Sequence, residues 1–264
     1  MALTFSRSSG DNVNIGSGGS PRSMDNLTAF TVISWVYLTQ DSVAGGLDLW
    51  AKGTFAAQDR RTGAFGFSPT NHISIQVDRA TTDANAVSAA NPLSLNTWTC
   101  VGWTYDESDG PRIFVGTLTS EMAEVTYDTG SPTVGSGASA GDSGIAMVIG
   151  SGTSNRAPGG RIAVFSMHNT RWTLAQIQAF QFDPRVLEDS VAFLHLGFNG
   201  TGTQPDWSGN GHAGTVTGAT QSDHVPLGSP FGVDFGWSAM RRIISLDWYR
   251  IDRPYTDLIK VVNY

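Results

Sequence analysis

The chain has 264 residues, 40% of them hydrophobic and 10% aromatic, enough for one full core and within the usual length of a single all-β sandwich. A formal charge of −7, with Arg60-Arg61 and Arg241-Arg242 as the only adjacent basic pairs, argues against binding of nucleic acid through its phosphates. The single cysteine, Cys100, excludes an intramolecular disulfide, and no apolar run approaches the roughly 18 residues of a membrane-spanning helix.

MALTFSRSSG has no basic segment followed by an apolar one, so no secretory signal is visible and the chain is expected to be made in the cytoplasm. Residues 2–15 read as strand, turn, strand, with Val13 and Ile15 on one side. A loop, SGGSPRSMDN, leads to FTVISWVYL at 30–38, the most β-prone run of the chain, whose Phe30, Val32, Trp35 and Tyr37 suit a central strand. Shorter strands are expected at 47–52 and 64–67, and HISIQVD at 72–78 alternates cleanly. NTWTCVGWTYD, the turn ESDGP and RIFVGTL make a long hairpin with Trp98, Trp103, Tyr105 and Phe114 as its aromatic content. Within it, the neighbours of Cys100 suggest a buried thiol.

Residues 129–144, TGSPTVGSGASAGDSG, predict an exposed flexible loop, and residues 145–150 a further strand. The stretch GGRIAVFSMHNTRWTLAQIQAF, ending at Phe182, is the most informative. Ile162, Val164 and Phe165 mark a strand with one buried face, and Arg171 lies on a tight corner. Thr173 with Gln176 three residues on forms a capping box for a short helix that Asp183-Pro184 stops. Residues 191–198 form another strand, and turn chemistry with a short strand follows to about 218. From Pro230 the chain concentrates bulky apolar residues and charges, so the domain boundary is placed between 1–229 and an extension at 230–264 that serves docking or adds an edge strand to its own sandwich.

LTFSRSSGDNVNIG with FTVISWVYL, the LNTWTCVGWTYD to RIFVG hairpin, and the stretch ending at Phe182 together resemble the laminin-G-like (concanavalin A-like) jelly-roll family, in the family's usual order. The resemblance implies an all-β fold: two antiparallel sheets packed as a jelly-roll sandwich, with one short helix and a C-terminal extension. Two departures stand out. Val115-Gly116 follows the hairpin where an Asn-Gly turn is common, and PDWSGNGHAGTVTG comes after the sandwich and not before it.

Some relatives of this superfamily hydrolyse glycosides with paired carboxylates on one strand face; here Glu121 and Glu124 are spaced by three, and Asp106, Glu107 and Asp109 crowd a hairpin turn. Others bind calcium or sugars at a loop rim. Asp206, Ser208 and Asn210 place oxygen side chains at alternate positions before a glycine, the metal-ligating pattern of a calcium loop, but Thr217 stands where the closing acid would be and an Asx turn is the simpler reading. Asp41, Asp48 and Asp142 are further rim ligands to consider. The five histidines lack ligand spacing, no serine occupies a nucleophile elbow, and Trp50, Trp172 and Trp207 are sugar-stacking candidates that packing explains as well.

These features predict a non-enzymatic binding or structural module without cofactor, by analogy a bacteriophage virion protein such as a capsid decoration or tail-associated subunit. In that reading Phe231, Phe235, Trp237, Ile243, Ile244, Trp248 and Tyr249 dock on another subunit, giving a homo-oligomer or a contact with capsid or tail proteins. The alternative is a lectin-like domain that binds glycans, with calcium at its rim.

Overall fold

The structure, a computed structural model, describes residues 1–16, 23–40, 47–54, 59–67, 72–151 and 156–227. In chain order its elements are β1 (Ala2–Phe5), β2 (Asn12–Asn14), β3 (Ala29–Leu38), β4 (Leu47–Thr54), β5 (Asp59–Phe67), β6 (His72–Val77), β7 (Ala84–Val87), β8 (Trp98–Asp106), β9 (Arg112–Thr117), β10 (Ala123–Glu124), β11 (Met147–Gly150), β12 (Gly160–His168), α1 (Leu174–Gln181), β13 (Ser190–His195), β14 (Thr215–Thr217) and β15 (Thr220–Ser222). They form two antiparallel sheets, β10-β9-β8-β3-β12-β1-β15 with β13 also on β12, and β14-β2-β11-β4-β5-β6-β7. This is the all-β jelly-roll sandwich expected from the sequence. The extension at 230–264, with Phe231, Phe235, Trp237, Ile243, Ile244, Trp248 and Tyr249, lies outside the described residues, as does Asp41.

β1 and β2 do not pair with each other. Gly10, in the left-handed region at φ 66°, ends the short turn between them, and β2 enters the opposite sheet. At the other end of the chain, β14 pairs with β2 and β15 with β1, so residues 215–222 add an edge strand to each sheet.

The core is centred on Trp50 of β4, which meets Phe30, Trp103 and Phe165 of the facing sheet at ring distances of 6.2, 6.1 and 6.5 Å. The tilted and edge-on ring geometry is the favoured one for aromatic pairs. One expectation fails here. β12 does not have a single buried face: a bulge between Ile162 and Val164 shifts the register, and the strand is buried throughout its last seven residues. The same holds for β3 and β8, whose inner residues meet the second sheet. Their outer residues lie under α1, where Ile177 approaches Gly102 and the Trp35 indole donates to the Gln181 carbonyl at 2.9 Å. Cys100 is wholly buried, and burial pushes its thiol pKa well up, which leaves an inert structural cysteine.

α1 starts at the Thr173–Gln176 capping box, buries Ile177, Phe180 and Gln181, and exposes Leu174. Gln181 is tied on three sides: its amide donates to the Thr117 and Ser120 carbonyls, and its Oε1 accepts from Met122 N at 2.8 Å. A Cβ at residue 116 would lie 2.8 Å from the Gln181 amide nitrogen, so glycine at that position is what admits the side chain.

Residues 129–144 are not a free loop. They run antiparallel to 79–88 through the pairs Arg79–Ser139, Thr82–Ser136, Asn85–Thr133 and, just upstream, Ser88–Tyr127. The Arg79 guanidinium fastens the ribbon by donating to the Gly137, Val134 and Glu107 carbonyls. A Cβ on residue 135 would come within 2.5 Å of the Thr82 carbonyl, so the glycine-rich composition there permits close backbone approach.

Gln181→Leu strands one buried N–H and two carbonyls. It is expected to lower stability by about 3 kcal/mol or more, against about 1 kcal/mol for Thr173→Ala at the cap. Urea unfolding measures both, and equal effects would show that Gln181 is not the tie described.

Candidate functional site

The corner between β12 and α1 and the segment 182–189 after the helix enclose an open groove of about 680 Å³. Trp172, Phe180, Ala179 and Leu187 form its apolar lining, and Asn169, Gln176, Asp183, Arg185, Glu188 and Asp189 supply polar groups. Its size falls in the range of small-ligand sites.

Asp189 organises the floor. It accepts hydrogen bonds from the Trp172 indole at 2.6 Å, from Thr170 Oγ1 and from His168 Nδ1 at 3.1 Å. Burial works against its charge, but these donors outweigh burial and hold the carboxyl below the usual carboxylate range. Asp189 therefore stays an acceptor at neutral pH. His168 Nε2 lies 3.3 Å from Ser166 Oγ, completing the connectivity of an Asp–His–Ser relay. Ser166 and His168 are, however, wholly buried, with the Trp172 ring 3.9 Å and the Phe180 ring 5.5 Å from the imidazole. No acyl substrate reaches that hydroxyl, and the relay fastens the groove to β12. Sequence reading missed the pairing, since His168 and Asp189 are 21 positions apart.

Of the residues singled out from sequence, Trp172 lines this groove and the carboxylates fall elsewhere. Glu121 and Glu124 are exposed, and Glu124 accepts from the Tyr127 hydroxyl. Asp106 closes its own turn by accepting from Ser108, Glu107 accepts from Ser139 N, and Asp109 pairs with Arg112 and Arg171. Asp48 is paired with Arg156 at 3.1 Å and accepts from Ser151. Asp142 lies 3.0 Å from the Lys52 ammonium. Neither therefore offers an open carboxylate to a rim cation.

Asp206, Ser208 and Asn210 do come together in one turn. Asp206 Oδ1 accepts from Phe193 N and Ser208 N, its Oδ2 from Ser208 Oγ and His212 N, and the Asn210 amide donates to the Ser190 and Val191 carbonyls. With Asp206 engaged in this way, the three residues do not fit a calcium ion. Among the described residues, no group of three or more His, Cys, Asp or Glu side chains could hold a metal. Of the three tryptophans, Trp50 and Trp172 are buried at 1% and 4% exposure; Trp207, 44% exposed, stands edge-on to the exposed Phe198 at 5.2 Å.

No protein-family profile and no curated protein matches the chain. Solved structures do. The sandwich is similar to a protein assigned as carbohydrate-binding from Bacteroides ovatus, with a TM-score of 0.56 at 15% identity over 86% of this chain and 61% of that one. This chain thus spans about three fifths of that relative. It is also similar to a heptameric SAP-like pentraxin from Limulus polyphemus (TM-score 0.44, 15% identity, 73% and 94% covered). A third is the CBM40 module of a Ruminococcus gnavus sialidase bound to α2,3-sialyllactose (TM-score 0.40, 13% identity, 59% and 83% covered). At these identities the likeness is one of fold alone, a jelly-roll sandwich. Among the described residues no helix is long and apolar enough to cross a membrane.

Burial pushes His168, His195 and His224 down to about 4. The unfolded chain takes up protons on these rings below about pH 6.5, whereas the folded chain does so only near pH 4. Stability is therefore expected to fall as pH drops through that window, by at most about 3 kcal/mol per ring. Urea unfolding at a series of pH values tests this. In His168→Gln the dependence should become shallower, and an unchanged slope would rule His168 out as a contributor.

Proposed function

We propose that this chain is a non-enzymatic carbohydrate-binding module and that the groove beside α1 holds the sugar. The groove itself carries the reading. Its planar polar side chains Asn169, Gln176, Arg185 and Glu188 are exposed, the type of donor and acceptor that pairs with neighbouring hydroxyls, and Asp189 is a fixed anionic acceptor on its floor. The carbohydrate-binding assignment of the Bacteroides ovatus protein of like fold supports it. The virion reading, with assembly through Phe231, Phe235, Trp237, Ile243, Ile244, Trp248 and Tyr249, stands as the competing proposal.

A glycan screen followed by calorimetric titration tests both. A hit should weaken roughly tenfold in Asn169→Ala and in Glu188→Ala, the loss of about one good hydrogen bond each. It should survive truncation after Gly228 and removal of calcium. Loss in Trp207→Ala with the groove variants unaffected would move the site to the Trp207–Phe198 rim. No glycan bound, together with an oligomer that the truncation reduces to monomer by light scattering, would replace this reading with assembly.

A further inference from the structure

Lys52 enters the core. It shares a strand face with Trp50, and across the ladder it pairs with Met147 while Trp50 pairs with Ile149, all buried apolar neighbours. Its ammonium, 0% exposed, lies 2.6 Å from Asp25 Oδ1, 3.0 Å from Asp142 Oδ1 and 3.0 Å from the Met24 carbonyl. The Asp25 side chain is equally buried, and that of Asp142 only slightly less so. Asp142 is held in place from the other side: its Oδ1 accepts from Asn26 N at 2.6 Å, and its own N–H donates to Asn26 Oδ1.

Two carboxylates meet one ammonium in a region closed to water. Such a cluster gains little as an ion pair, because desolvation offsets the attraction. An amine fixed at contact distance from a carboxyl group has the proximity that makes condensation effectively unimolecular. A second carboxylate on the same nitrogen is positioned to carry protons.

We propose that Lys52 and Asp25 condense to an intramolecular isopeptide bond, with Asp142 as the proton carrier. The Lys52 ammonium gives one proton to Asp142, and the neutral Nζ attacks Cγ of Asp25, forming the N–C bond. One Asp25 oxygen then leaves as water, taking a second proton from Nζ and the proton held by Asp142, as the C–O bond breaks. The products are a neutral secondary amide, one water and the Asp142 carboxylate restored. No electrons change hands, and the net charge of the three groups is the same before and after. The amide ties residue 25, in the segment leading into β3, to β4 of the opposite sheet. The proposal does not depend on glycan binding.

Mass spectrometry of the purified full chain, unfolded, tests it. Lys52 and Lys260 are the only lysines. Trypsin should fail to cut after Lys52 and should release residues 23–60 as one peptide, lighter by one water, with fragments joining Asp25 to Lys52. An amine reagent on the unfolded chain should label Lys260 and leave Lys52 unlabelled. Asp142→Asn should restore the full mass, cleavage at Lys52 and its labelling. Wild-type chain of full mass that is cut and labelled at Lys52 overturns the bond, and linkage mapped to Asp142 overturns the assignment to Asp25. Condensation that persists in Asp142→Asn overturns the proton carrier. The wild-type measurement needs no variant to fold.

Discussion

Three neighbouring strands, β3, β8 and β12, are buried on both faces, and most of the architecture follows from that. A sheet of this kind needs two apolar covers. The inner cover is the seven-stranded sheet, which drives Trp50 into the ring of Phe30, Trp103 and Phe165. The outer cover is α1, and a helix of only eight residues has too little internal hydrogen bonding to stand without its packed face. Its position is set by tertiary ties at both ends: the Thr173 cap, and Gln181 bonded into the turn after β9. The glycine at 116 belongs to the same constraint, since it leaves the space that the last glutamine of the helix fills.

Among the described residues, the buried carboxylates each meet an opposite charge or a hydrogen-bond donor. Asp48 meets Arg156, Asp189 meets His168, Trp172 and Thr170, and Asp25 and Asp142 share Lys52. Carboxylates that a reading of the sequence assigns to a metal-binding rim are thereby engaged in holding segments together, because a buried carboxylate left without a partner is strongly disfavoured. Around the groove beside α1, Asn169, Gln176, Arg185 and Glu188 stay exposed, Arg185 3.0 Å from the Asp183 carboxylate. Beside them Asp189 is held ionised by its donors, and His168 is enclosed and kept neutral by burial.

By itself the sequence determined the all-β class, the β8–β9 hairpin, the capping box and the buried thiol, because each rests on residues close in the chain: alternating apolar runs, Asp-Gly turn chemistry, a Thr–Gln pair three apart. It also contained the Asx-type turn at Asp206, whose bonds to Ser208 are local. Only the tertiary structure decided the rest. The bulge at Ile162–Val164 is a register shift against β3, and the burial of β12 on both faces comes from the covers packed against it. The ribbon at 129–144 owes its order to Arg79 and to backbone pairing with residues some fifty positions away, which glycine-rich composition does not encode. The groove joins the corner before α1 to the segment after it, and the Lys52 cluster joins residues 25, 52 and 142. Those contacts form when the two sheets close on one core, and pairing across such distances leaves no period or spacing in the chain to read.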